Sequence, residues 1–141
     1  GINAVMRIGI AQTARIVVDE GAGRHDQIVD KLDEWGEIWG LNRTTVVQAT
    51  AAVNQLIEAI EDLKEGHAIL EARHDEVNLD IRIIYDGQPM VFPDKAPSAD
   101  ELMNDHDGVA RMAGWLLRHL ADRAAAFVDW DQQGVTLRFE S

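Results

Sequence analysis

The chain has 141 residues, of which 46% are hydrophobic and 27% charged, and this length and composition predict one folded domain over residues 1–141. Its formal net charge of −12, from 25 acidic against 13 basic residues, argues against nucleic acid as a partner, because phosphate contacts need a basic surface. The lack of cysteine excludes disulfides, thiol catalysis and cysteine-ligated zinc, and no apolar run approaches the roughly 20 residues that span a bilayer.

The N-terminal half is predicted to form a strand region followed by two helices. The β-branched, alternating segment Met6–Val18 predicts one or two strands. Apolar residues at helical spacing predict a helix over Arg24–Trp39 that stops at Gly40, and a second helix over Thr44–Lys64 with Asn42 as its cap. The second helix also carries a polar stripe: Thr50, Asn54, Glu58 and Glu61.

The C-terminal half is predicted to begin with strands. A period of two over Ala68–His74 and Asn78–Tyr85 predicts an antiparallel pair, with a further short strand at Gln88–Phe92. Ser98 and Glu101 form the capping pattern of a short helix. The remaining elements are a helix over Gly108–Asp122, a strand over Ala124–Trp130, a turn at Asp131–Gly134 and a strand over Val135–Glu140.

This order of elements predicts an α+β fold. Helices grouped against one sheet make a two-layer sandwich, here with the helices on one face of a mixed, mainly antiparallel sheet.

The order and spacing resemble the GHKL fold of histidine-kinase-like ATPases and anti-sigma-factor kinases over most of the chain. In that family a helix carries Glu, which orients the attacking group, and four residues later Asn, which holds magnesium. Asn54 matches the Asn, but Thr50 stands at the Glu position. The family's Asp-x-Gly-x-Gly motif, whose Asp recognises adenine, is matched only by Asp86 and Gly87 after the predicted strand.

Two further features of the family concern the phosphates and the last strand. In place of a glycine-rich lid stands Asn104–Gly108, with one glycine and two carboxylates that would repel a triphosphate. A Gly-Thr pair before the last strand has a near match in Gly134–Thr136. The resemblance therefore implies no catalytic residue, no metal, no cofactor beyond weak ATP or ADP binding, and a vestigial nucleotide pocket at Asn54, Asp86, Gly87 and Gly108.

Five short segments carry a second resemblance: Met6–Ile10, Trp35–Gly40, His74–Asp80, Gly108–Gly114 and Asp122–Arg123. They look like the C-terminal cytoplasmic extension of some bacterial xanthine/uracil permeases. This resemblance implies that a membrane transporter precedes the chain, which would explain a first residue other than Met. The domain would then lie at the cytoplasmic face of the inner membrane, with the membrane domain of the same polypeptide as its partner.

Two polar groups have a functional and a structural interpretation. Asn54 and Glu58 have the spacing to share a magnesium ion, but a solvated polar stripe is favoured. A metal site at His67, Glu71, His74 and Asp75 is disfavoured, because the two histidines would diverge on a strand.

His106, between Asp105 and Asp107, has carboxylate neighbours that could make it a general base, but no nucleophile is near, and Asp105 fits a helix cap better. Core packing is the expectation for Trp35, Trp39 and Trp115, unless the first two are exposed and mark an interface.

The leading hypothesis is a non-catalytic regulatory or interaction domain of a nucleobase permease, with a degenerate ATP site. An active histidine-kinase-like ATPase or anti-sigma-type serine kinase is the first alternative. A stand-alone ligand-binding or dimerisation module is the second, and a homodimer is left open.

Overall fold

The computed structural model describes residues 12–18, 23–59 and 68–140. The motif at Met6–Ile10, residue His67 and the predicted end of the second helix at Lys64 lie outside these described residues. In chain order the elements are β1 (Gln12–Val18), α1 (Arg24–Trp39), α2 (Arg43–Ala59), β2 (Ala68–His74), β3 (Asn78–Tyr85), α3 (Ala99–Asn104), α4 (Gly108–Leu120), β4 (Arg123–Asp129) and β5 (Gln132–Glu140).

The five strands form one sheet in the order β1-β2-β3-β5-β4. Every pairing in the described ranges is antiparallel, so the sheet is more regular than the mixed one that the sequence predicted. The helices cover one face of this sheet, and the predicted two-layer α+β sandwich is confirmed.

The core lies between the helices and one face of the sheet. Alternate residues of the central strands point into it and are buried, and helices α1, α2 and α4 each add an apolar stripe. Its largest fully buried members are Tyr85, Phe139, Ile28, Leu56, Leu70, Ile81, Ile83, Leu117 and Leu137.

Three helix ends agree with the sequence prediction, whereas α4 ends at Leu120 and not at the predicted Asp122. Gly40 ends α1 at φ 65°, a left-handed conformation that glycine adopts without strain. The side-chain oxygen of Asn42 accepts a hydrogen bond from the Thr44 amide at 2.9 Å and so caps α2. Ser98 caps α3 in the same way, because its hydroxyl accepts from the Glu101 amide at 3.1 Å.

The predicted strand at Gln88–Phe92 is wrong, since this segment is irregular. Pro89 and Pro93 have no amide hydrogen to donate to a sheet, and the Tyr85 hydroxyl donates to the Gln88 carbonyl at 2.7 Å. The segment instead crosses α4, where the Val91 carbonyl lies against Gly114.

The last hairpin is tighter than predicted. Asp129 pairs with Gln132, so only Trp130 and Asp131 form the turn, and Trp130 has a positive φ of 58°. Gly134 belongs to β5 rather than to the turn, and Phe127 fills the space that a side chain at Gly134 would need. The Gly134–Thr136 match to the family motif therefore lies inside the last strand, not before it.

Within the described residues, no helix is both long and apolar enough to cross a membrane.

Candidate functional site

The polar stripe of α2 starts at Thr50, the position that the family resemblance assigns to the missing Glu. The Thr50 hydroxyl donates to the backbone carbonyl of Val46, one helical turn earlier, at 2.8 Å. This local bond is a common way for threonine to satisfy its hydroxyl inside a helix. Thr50 therefore supplies neither a carboxylate nor a free hydroxyl.

Asn54, the match to the magnesium-holding Asn, contacts the first turn of α1. Its side-chain oxygen lies 2.9 Å from Nδ1 of His25, although 29 residues separate the two in sequence. Because an amide oxygen only accepts hydrogen bonds, the imidazole Nδ1–H is the donor in this contact. The oxygen that would hold magnesium is thus used by a side chain of the protein itself.

His25 also reaches the next turn of the stripe. Its Nε2 lies 3.3 Å from a carboxylate oxygen of Glu58. A protonated imidazole can donate from both ring nitrogens, so His25 can join Asn54 and Glu58 at the same time. Asn54 and Glu58 therefore share a histidine, an arrangement that neither the solvated-stripe nor the magnesium hypothesis anticipated.

A depression of about 590 Å³ opens beside this contact. Its walls come from α1, α2 and the first turn of α4, which contributes Val109 next to Gly108. The size would admit a small ligand. The lining residues are Arg24, His25, Gln55, Ile57, Glu58, Ala59 and Val109.

The segment between α3 and α4, to which the sequence resemblance assigns the position of a lid, is organised by Arg111. Its guanidinium lies 2.9 Å from the Glu101 carboxylate and 2.8 Å from that of Asp105. A third carboxylate, on Asp107, lies 3.3 Å from Nε of the same side chain. One arginine thus faces three carboxylates, so the negative charge of this segment is only partly neutralised.

These contacts shift two pKa values. The hydrogen bond from Arg111 holds the pKa of Glu101 below its ordinary range, with the Ser98 cap adding to the effect. The same hydrogen bond raises the pKa of Arg111, which already exceeds any physiological pH. Both groups are therefore charged under ordinary conditions.

The remaining predicted pocket residues have structural surroundings of their own. Asp86 and Gly87 are exposed in the turn after β3. Gly108 is buried at the start of α4, and a Cβ atom there would lie 2.6 Å from the Glu101 carbonyl. The close packing of α3 on α4 therefore accounts for a glycine at this position, and no bound nucleotide is needed to explain it.

Asp105 ends α3 as its C-terminal cap, whereas Asp107 stands at the N-terminus of α4. His106 is exposed between them. The expectation of a side-chain cap at Asp105 is therefore not met as stated: the backbone N–H of Asp105 closes α3, and its carboxylate accepts from Arg111.

The predicted polar edge of the sheet does not gather metal ligands. Glu71 lies on the open face between Arg15 and Arg82, whereas the His74 ring stacks on Trp39 with centroids 6.1 Å apart. Asp75 shapes the turn, accepting from the Asn78 amide at 2.8 Å. The described residues contain no group of three or more His, Asp or Glu side chains that could hold a metal ion.

The tryptophans of α1 are core residues, as expected by default. Trp35 is buried and stacks on the half-buried Trp39, with ring centroids 6.1 Å apart. They form no exposed pair. Trp115 instead packs against His119, one turn later on α4.

Sequence reasoning missed two residues that organise this site, His25 and Arg111. The contact of His25 with Asn54 depends on how α1 and α2 pack, and no local sequence pattern predicts it. Arg111 did have a signal, because Asp107 lies four residues before it on a predicted helix, the spacing of a helical ion pair.

No family model matches the chain, and no curated protein matches its sequence. Among solved structures, the chain is similar to the crystal structure of the RsbU and RsbW domains of Rv1364c from Mycobacterium tuberculosis, with a TM-score of 0.59 and 16% sequence identity. The match covers 92% of this chain and 32% of that one, so the chain spans about a third of the solved protein. The likeness supports the GHKL-like fold.

Proposed function

We propose that this chain is a non-catalytic regulatory or interaction domain with a degenerate ATP site. It keeps the GHKL-like framework and lacks the groups that would hold and activate magnesium and triphosphate. One observation carries the proposal: the Asn54 oxygen that would bind magnesium is bonded to His25, while Thr50 stands where a carboxylate is needed.

The acidic segment beside the pocket supports the same proposal. Asp105 and Asp107, together with Glu101, are arranged around the single guanidinium of Arg111. A triphosphate entering here would meet three carboxylates that already share one positive charge. Like-charge repulsion would weaken its binding.

We further propose that the chain is the C-terminal tail of a nucleobase permease of the xanthine/uracil type and lies at the cytoplasmic face of the inner membrane. This part rests on the sequence resemblance at Trp35–Gly40, His74–Asp80 and Gly108–Gly114. The partner would be the membrane domain of the same polypeptide. Reading the gene upstream of residue 1 tests it: several membrane-spanning segments are expected there, and a start codon at that point would overturn it.

Calorimetric titration with magnesium and ATP or ADP tests the degenerate site. We expect binding weaker than about 10 μM, which corresponds to some −7 kcal/mol. The double variant His25→Ala, Thr50→Glu frees the Asn54 oxygen and restores a carboxylate, so it should bind more tightly than the natural chain. His106→Ala, on the exposed loop, is the matched control and should change nothing. Tight binding by the natural chain would refute the proposal.

The rival function is an ATPase or anti-sigma-type serine kinase, favoured by the fold that the chain shares with a structure containing an RsbW domain. It predicts ADP release that falls when Asn54 or Asp86 is replaced by Ala. ADP at background level in the natural chain would remove this rival.

A further inference from the structure

Strand β4 forms one edge of the sheet in the described part of the chain, where it pairs only with β5. Every second residue of an edge strand directs its amide and carbonyl groups away from the sheet. Natural edges are usually protected by a charge, a proline or a bulge near the centre of the strand. The opposite edge, β1, has Arg15 at its centre, whereas the centre of β4 is the uncharged run Ala124–Val128.

The surroundings of this edge are apolar and open. Ala125 and Ala126 are exposed, and 66% of Val128 is accessible to solvent. At the adjoining turn, Trp130 is 93% exposed. An unprotected edge with apolar side chains beside it favours pairing with another strand.

The sequence of β4 is complementary to itself when read in the opposite direction. With Ala126 facing Ala126 of a second copy, Arg123 faces Asp129 of that copy, and Asp129 faces its Arg123. Each larger side chain then faces an alanine: Ala124 stands opposite Val128, and Ala125 opposite Phe127. Opposite charges and matched sizes in facing positions are the interactions that stabilise antiparallel strand pairs.

We infer that β4 pairs antiparallel with β4 of a second copy of this chain, about a two-fold axis at Ala126. The interface is isologous, because each strand offers the same residues to the other. Within the described residues, Arg123 forms a long ion pair with Glu140 at 4.0 Å, and 75% of the arginine side chain is exposed. Arg123 is therefore available to the second copy. The two five-stranded sheets would continue into one.

This pairing does not depend on the proposed function, since neither the pocket nor any upstream membrane domain takes part in it. An active enzyme or a ligand-binding module could dimerise in the same way. The test below therefore reports on the edge alone.

The experiment measures the mass of the 141-residue chain by light scattering or sedimentation. We expect the natural chain to show a concentration-dependent species of about twice 15.7 kDa. Arg123→Asp places Asp opposite Asp129, and Asp129→Arg places Arg opposite Arg123. Either change creates two like-charged pairs in the dimer and should weaken association at least about tenfold.

Mixing the two variants makes the test specific. In the mixture each Asp of one variant faces an Arg of the other, so a mixed dimer should form although neither variant dimerises alone. Arg43→Asp, which breaks an exposed ion pair with Asp33 on the helices, is the control and should leave the dimer intact.

Three results would overturn the inference. One is a natural chain that stays monomeric up to about 1 mM, a concentration at which even weak complexes form. Another is a dimer that both single changes leave intact, which would place the interface elsewhere. The third is a mixture of variants that remains monomeric.

Discussion

Helix α4 and helix α1 meet their neighbours in different ways. A Cβ atom at Gly114 of α4 would lie 1.9 Å from the Val91 carbonyl oxygen, so backbone packs on backbone with no room for a methyl group. At the start of α1, by contrast, His25 touches α2 through side chains that are 44% exposed for His25 and 65% for Glu58. The framework is thus fixed by close packing of backbone, whereas the contact that occupies Asn54 is a part-buried pair of replaceable side chains. A fold of this kind can keep its shape while the chemistry of its pocket changes.

The packed side of this comparison predicts the largest effect. Gly114→Ala should lower the free energy of unfolding by about 1–3 kcal/mol or more, because the methyl group collides with backbone that has no free rotamer. The measurement is denaturant unfolding. Gly23→Ala is the control, since no atom lies within 4 Å of a Cβ atom there. If both variants unfold like the natural chain, α4 is not packed as described.

Arg111 should matter more than an exposed arginine, although less than Gly114. Arg111→Met keeps the length of the side chain but leaves three carboxylates facing one another, so the melting temperature should fall. Arg43→Met, which removes an exposed ion pair with Asp33, should have a smaller effect. Equal melting temperatures for the two variants would mean that the lid segment is held by something other than Arg111.

The same contact predicts a dependence on pH. Because the pKa of Glu101 in the folded chain lies below its ordinary value, the unfolded chain binds more protons as the medium becomes acidic. The stability from this carboxylate is present above its ordinary pKa and is lost as the pH falls through the lowered value.

Thermal melts from neutral to acidic pH measure this loss, and Glu101→Gln should show a smaller one. The hydrogen bonds from Asn78 and Val77 lower the pKa of Asp75 in a similar way, so some acid sensitivity remains in the variant. A variant with the same acid profile as the natural chain would count against an ionised Glu101 bonded to Arg111.

Much of the fold could be predicted because its signals are local. The helical spacing from Ile28 to Trp39, the glycine at position 40 and the Ser98–Glu101 cap all act within a few residues. Two strand features failed because packing against neighbouring elements, which no periodic pattern encodes, decides them. Gln88–Phe92 is held against α4 and bonded by Tyr85, and Gly134 owes its identity to the ring of Phe127 on the neighbouring strand.

The candidate site was less predictable, since its parts come from distant positions. The sequence could identify Asn54 as the match to a family residue, and Thr50 as a departure from the pattern. It could not show that His25 takes the Asn54 oxygen, because that depends on the relative placement of two helices. The acidic segment was also predicted only in part. The sequence indicated that its carboxylates would repel a triphosphate, but it did not indicate that Arg111 contacts Glu101 and Asp105.

The side-chain contact in this comparison predicts the smallest effect on stability. His25→Ala removes the part-buried hydrogen bond to Asn54 and the more exposed contact with Glu58, so the free energy of unfolding should change by no more than about 1 kcal/mol. Asn54 then exchanges the imidazole for water, and α1 and α2 remain packed through Ile28 and Leu56 in the core. Denaturant unfolding of this variant beside Gly114→Ala measures the contrast directly. A loss as large as that of the glycine variant would show that the polar contact is part of the framework and not a replaceable addition to it.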